Sequence, residues 1–141
     1  MSGFLIDTNV ISELIKSTPK DSVIDWIKKT PEELLYLSVL TIGEIRKGAS
    51  RIPSSRRRVE IESWIETDLI YRFEKRVLPI TYDIVDRWGQ LDAFMESKGS
   101  LVCVIDGLLV ATAFHHHLTL VTRNTKDIEK TGIEFFDPWS E

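Results

Sequence analysis

Four carboxylates stand where their surroundings make them candidates for chemistry. Asp7 ends the apolar run FLI, and Asp106 follows LVCVI. Glu44 comes shortly after the run LLYLSV, and Asp127 lies just beyond LTLVT. Asp7 and Asp106 interrupt strongly apolar sequence, which predicts that both are at least partly buried. Carboxylates gathered in one such crevice repel each other and raise each other's pKa unless a cation compensates. An oxygen-rich site of this kind suits Mg²⁺ or Mn²⁺, hard ions that keep several waters and bind substrate phosphates. The ion would acidify a bound water, polarise a scissile phosphate and stabilise the leaving oxygen. The chemistry these acids point to is metal-assisted hydrolysis of a phosphate ester.

Each acid also has a purely structural role open to it. Asp7 can cap the helix that follows. Thr41-Ile42-Gly43-Glu44 matches a capping box, in which the glutamate accepts the threonine backbone N–H. Asp106 can be another N-cap, and Asp127 an exposed first-turn acid favoured by the helix dipole. Taken together, four acids at strand ends and helix starts favour the metal site. Gly43 and Gly107 flank two of them inside predicted helices. A mid-helix glycine costs roughly 1 kcal/mol relative to alanine, so close approach or tight packing is expected at both.

The elements that must position these acids alternate between strand and helix. FLID is read as a buried strand, followed by a helix from Thr8 to about Lys16. A second amphipathic helix follows Pro19, carried by Val23, Trp26 and Ile27. LLYLSV is a strand, and Thr41 to about Ser50 a helix. From Ser54 to about Phe73 the positions Val59, Ile61, Trp64, Ile65 and Leu69 recur at roughly helical spacing. RVLPI is a short strand. A helix from Thr81 to about Ser97 puts Ile84, Val85, Trp88, Leu91 and Phe94 on one stripe. An almost wholly apolar helix runs from about Val104 to His117, followed by the strand LTLVT. A turn or short helix spans Asn124 to Lys130, and IEFFD is the last strand. Such alternation predicts an α/β fold with a central parallel sheet covered by helices on both faces. In open sheets of this class the functional crevice lies at the carboxyl ends of the strands.

Composition narrows the classes. A chain of 141 residues fits one domain over 1–141. Hydrophobic residues at 43% and charged residues at 28% argue against disorder. No apolar run approaches the ~20 residues of a membrane helix, and the N-terminus does not resemble a signal peptide. Cys103 alone excludes an internal disulfide and a cysteine-rich zinc site, and it reads as a small buried hydrophobe. These features point to the cytoplasm. The net charge of −4 argues against nucleic acid. Yet Arg46, Lys47, Arg51, Arg56, Arg57 and Arg58 fall between Glu44 and Glu60 with no intervening acid. That run is either a solvated helical face or a phosphate-contacting patch. The triplet His115–His117 has no partner at metal-ligand spacing and is assigned no metal role.

FLIDTNVISEL, LSVLTIGEIRKG, VIDGLLVATAFHHHLTLVTRNTKDI and the closing FFDPW together resemble the PIN-domain ribonucleases, above all the VapC and FitB group of bacterial toxin–antitoxin systems. The resemblance covers essentially the whole chain. It implies a PIN-like sheet flanked by helices and Mg²⁺- or Mn²⁺-dependent hydrolysis of RNA. Asp7, Glu44 and Asp106 fall on the family's three main acids, with Asp7 and Asp106 as metal ligands. Asn9 matches a polar residue that arranges the site, and Thr122 a hydroxyl lining it. The fourth position is held either by Asn124, through its carbonyl oxygen, or by Asp127. The resemblance also implies a homodimer silenced by a cognate antitoxin, with the helices around Trp26 and Trp64 as one source of apolar partner surface.

Two other readings keep part of this pattern. A PIN-like module can bind RNA or protein without cutting, although three intact acids speak against that. A phosphoacceptor domain also gathers acids around Mg²⁺, but it needs a nucleophilic aspartate after a middle strand and a lysine after a later one. Here LLYLSV ends in Ser38 and Val39, and LTLVT is followed by Arg123. A DNA-cutting enzyme would share the metal chemistry, and only the resemblance favours RNA.

Overall fold

The computed structural model describes residues 3–140. Its strands are β1 (Phe4–Ile6), β2 (Leu35–Ser38), β3 (Val77–Leu78), β4 (Thr119–Val121) and β5 (Phe135–Phe136). They form one sheet in the order β3-β2-β1-β4-β5, and every neighbouring pair is parallel. Consecutive strand residues face opposite sides. Leu5 therefore packs with Leu109, Leu120 and Ile128 on one face, while Ile6 packs with Ile11, Leu37 and Val121 on the other. Helices α1 (Thr8–Glu13), α2 (Asp21–Lys29), α3 (Val39–Arg51) and α4 (Arg56–Ser63) cover the Ile6 face. Helices α6 (Tyr82–Ser97), α7 (Val104–His115) and α8 (Thr125–Glu129) contribute to the Leu5 face, and the short α5 (Ile70–Arg72) precedes β3. Burial on both sheet faces explains why the strands read as apolar runs rather than alternating ones.

The chain builds outward from β1 to β2 and β3, then returns to the other side of β1 with β4. The strand order reverses between β1 and β4. That reversal opens a crevice beyond the carboxyl ends of these strands, the usual ligand position in open α/β sheets.

Several local expectations are corrected. The helix expected from Thr41 begins at Val39, because the Ser38 hydroxyl accepts the Leu40 N–H at 3.0 Å and caps it there. Thr41 is thus inside the first turn and buried, and the proposed capping box does not form. The segment after Ser54 is helical but not uniform, since Trp64–Leu69 forms a π turn. Ile61, Ile65, Leu69 and Phe73 are all buried and recur every four residues. Four residues overshoot an α-helical turn by about 40°, and the wider turn keeps this row facing the core. Val59 is exposed, as are Val85 and Phe94 of the expected α6 stripe. Cys103 is exposed rather than buried, because it lies outside the sheet, at the cap position where the chain enters α7. Among the described residues, no helix is long and apolar enough to cross a membrane.

Candidate active site

Asp7 follows β1 and is the N-cap of α1. Its Oδ1 accepts the Thr8 N–H at 2.7 Å, and its backbone N–H reaches Val121 O of β4 at 2.9 Å. The cap expected from sequence is therefore present, but it occupies one carboxylate oxygen only. The other, Oδ2, accepts the Thr122 hydroxyl at 2.8 Å. The Thr122 Oγ1 also accepts the Asn124 N–H at 3.0 Å, so one hydroxyl ties the ends of β1 and β4 together. Asn9 sits above this link. Its Nδ2 lies 3.5 Å from both Asp7 Oδ2 and Thr122 Oγ1, and its Oδ1 accepts the Arg123 N–H at 3.3 Å.

The other acids join through polar intermediates. Glu44 of α3 accepts the Thr8 hydroxyl through Oε1 at 2.5 Å, across 36 residues of sequence. Asp106 lies in the first turn of α7, where Cys103 holds the cap position, so it is not an N-cap. Its Oδ2 accepts from Asn124 Nδ2 at 2.9 Å. Asn124 therefore shows its amide nitrogen to Asp106 and leaves its carbonyl oxygen unengaged by that contact. Asp127 lies in the first turn of α8, half-buried, with Lys130 Nζ 3.9 Å away. It is the outermost of the four acids, near enough for its charge to act on Asp106.

The electrostatics follow from this geometry. Burial pushes the Asp7 carboxyl from an ordinary 3.8 up to about 6; bonds from Thr122 and Thr8 pull it down, while Asp106 and Glu44 push it further up. Burial also raises Asp106, with Glu44 and Asp127 adding to the rise and Asn124 opposing it. None of the ion pairs within the described residues joins Asp7, Glu44 or Asp106 to a lysine or arginine. Buried like charges without a cation destabilise the ionised form, so the site favours a divalent cation. No three His, Cys, Asp or Glu side chains among the described residues form a ready-made ion cage. Mg²⁺ does not need one, because it keeps several waters and takes one or two carboxylates directly. The donor set, all oxygen and none of it thiolate or imidazole, fits such an ion.

Other sequence expectations divide. A Cβ on Gly107 would meet Trp88 Cδ1 and Nε1 at 2.9 Å, so the glycine beside Asp106 lets α6 press against α7. Gly43 has open space around it, and nothing in the structure explains it. Arg46 and Arg58 share Glu62, Arg46 also meets Glu66, and Arg56 and Arg57 meet Glu60. Arg57 and Arg58 also donate to the carbonyls of Ile15 and Ile52. These contacts engage four of the run's six basic residues, all but Lys47 and Arg51, within the fold itself. His115 and His116 stack edge to face at 4.9 Å near the end of α7. Sequence reasoning assigned Thr8 no role, although it carries Glu44. The available signal was its position directly after a capping aspartate, at the same mouth of the helix.

The PIN domain family model matches residues 4–134, and the chain belongs to that family. It is 35% identical to VapC ribonuclease Y4jK of Sinorhizobium fredii over 96% of each chain. It is 29% identical to Toxin FitB of Neisseria gonorrhoeae, covering 97% of this chain and 99% of that one. Among solved structures, FitAcB from Neisseria gonorrhoeae superposes with a TM-score of 0.93 over 98% of this chain and 99% of its counterpart, at 29% identity. DNA-bound VapBC from Salmonella typhimurium gives 0.83 at 26% identity, over 98% of this chain and 99% of that one.

Proposed function

We propose that this chain is a Mg²⁺- or Mn²⁺-dependent endoribonuclease and the toxin half of a toxin–antitoxin pair. The observation that carries the reading is the acid crevice itself. Asp7, Glu44 and Asp106 are joined through Thr8, Thr122 and Asn124, with Asp7 raised to about 6 and no basic partner for any of the three among the described residues. The names of its relatives, VapC ribonuclease and Toxin FitB, support RNA as substrate and a toxin role. The neighbouring FitAcB and VapBC structures support a partner protein, here a cognate antitoxin. A homodimer and a cytoplasmic setting complete the proposal.

In this reading Asp7 and Asp106 hold the ion, which when bound supplies an activated water and neutralises charge at the scissile phosphate. Thr122 fixes Asp7, and Asn124 fixes Asp106, so both carboxylates keep their aim without help from substrate. Thr8 holds one oxygen of Glu44 and leaves the other to take a proton from water. Asp127, at the rim, adds negative charge and reaches the site through water.

The test is cleavage of RNA by the purified full chain with Mg²⁺ or Mn²⁺, in chelator, and after metal is restored. Cleavage should vanish in chelator and return with metal. Undiminished cleavage in excess chelator would overturn the mechanism. A binding module without catalysis would leave the RNA intact throughout.

A further inference from the structure

Beside the acid crevice lies a cleft of about 550 Å³, lined among others by Glu13, Lys16, Lys20, Asp21, Arg123 and Trp139. Arg123 connects the two regions. Its backbone N–H is held by Asn9, which neighbours Asp7, while its guanidinium lies 5.0 Å above the Trp139 ring. The Trp139 backbone N–H donates to Asp137 Oδ1 at 2.9 Å, which holds the main chain that carries the ring. An arginine stacked on an aromatic face keeps its planar row of N–H donors available at the edge. Among the described residues Arg123 makes no ion pair within salt-bridge distance. This distinguishes it from Arg56–Arg58, whose charges meet carboxylates of their own helix, and from Arg46, which meets Glu62 and Glu66 across from α3.

The acids of the cleft do not cancel it. Glu13 is buried, accepts the Lys20 N–H at 2.9 Å and is paired with Lys16. It is therefore engaged from inside the fold, and the Arg123 charge adds only the last and smallest of the pulls that hold its carboxyl low. Lys16, Lys20 and Arg123 outnumber Glu13 and Asp21 along this wall. A strand of RNA with one phosphate over the acids must place its neighbouring nucleotides on adjacent surface, and this is adjacent surface with an exposed planar cation outside salt-bridge distance of any carboxylate among the described residues.

We propose that this cleft is a nucleotide subsite of the ribonuclease. Arg123, braced by Trp139, takes the backbone phosphate next to the scissile one, and the guanidinium plane offers the adjoining base a stacking surface. Arg123 is thus a positioning residue that sets where the RNA lies relative to the acids. The inference rests on the ribonuclease reading above.

The experiment measures equilibrium binding of a mixed-sequence single-stranded RNA to the full chain in chelator, over a range of salt. Cleavage by the wild-type protein with Mg²⁺ serves as the control. Arg123→Gln should weaken binding about tenfold and flatten the log–log salt slope by roughly 0.7, the loss of one single-strand phosphate contact. Arg123→Lys keeps the charge, so its slope should stay while part of the affinity is lost. Its side chain is exposed, and a thermal melt confirms that each variant folds. Unchanged affinity and slope in folded Arg123→Gln, with the wild type still cutting RNA, would overturn the subsite alone. Absence of cleavage by the wild type would fell the ribonuclease reading and the subsite with it.

Discussion

Asp7 and Glu32 are two acids of one small protein placed in opposite circumstances. Glu32 precedes β2 at the surface and accepts from Arg72 at 2.9 and 3.0 Å and from Arg76 at 3.2 Å. The Arg72 hydrogen bonds, against some burial, and then the charges of Arg72 and Arg76 hold its carboxyl below the ordinary range. Asp7 is buried, bonded only by neutral donors, and faced by two further acids, so its carboxyl rises to about 6. Glu32 is complete within the chain. Asp7 has no basic partner among the described residues, and in the proposed mechanism that difference separates an acid that supports the fold from one that holds a cation.

The largest effect should come from removing charge where no partner compensates. Asp7→Asn should lower RNA cleavage by at least about 100-fold, because a bound divalent ion contributes several kcal/mol to such a transition state. Initial rates at saturating Mg²⁺ measure this, and an effect under tenfold would put Asp7 outside the reaction.

The same variant should be more stable than wild type in metal-free buffer. Its folded pKa is raised, so Asp7 contributes stability below pH 3.8 that is lost as pH rises through about 6. At pH 7 the ionised carboxylate therefore destabilises the native state by up to about 3 kcal/mol, and Asp7→Asn should recover part of that. Near pH 3, where Asp7 is largely protonated in both states, the advantage should shrink towards zero. Denaturant melts at the two pH values check the sign.

Glu32→Gln should show the opposite pH dependence and a smaller effect. A depressed pKa stabilises above the ordinary value of 4.5 and is lost as pH falls through the folded value. The pair is largely exposed, so the loss at pH 7 should stay under about 1 kcal/mol, measured by the same melts. Smallest of all should be Arg56→Gln, whose side chain is almost fully exposed and meets Glu60 at 3.5 Å. It should leave the salt dependence of RNA binding nearly unchanged.

Much of this contrast was legible in the sequence, and the reasons are local. Asp7 and Asp106 stood out because each breaks an apolar run, and the strand–helix alternation placed Asp7 at a strand end. What escaped depended on contacts remote in sequence or on competing caps. Thr8 meets Glu44 across 36 residues, which no local pattern encodes. The capping box at Thr41 was displaced because Ser38 offered an earlier cap. The apolar run LVCVI suggests burial, yet Leu101 and Cys103 are exposed on the approach to α7 and Val104 is exposed at its first position. The basic run was legible as charge, and the pairs of Arg56, Arg57 and Arg58 with Glu60 and Glu62 lie at helical spacing, but the engagement of Arg46 by Glu62 and Glu66 appeared only once α3 was placed beside the segment that follows it.

The central claim, that the crevice is built to hold a divalent cation, is tested most directly by thermal melts of wild type and Asp106→Asn, each in chelator and in Mg²⁺. Binding to the native state alone stabilises by about 2.7 kcal/mol when free metal is 100 times its Kd. For a chain of this size that corresponds to a rise in Tm of several degrees. Wild type should show this rise. Asp106→Asn should start no lower than wild type in chelator, because one repelling charge is gone, and should gain little from Mg²⁺. If Mg²⁺ left the wild type unmoved and Asp106→Asn melted well below it in chelator, Asp106 would be a structural residue of α7 and the metal-site account would be wrong.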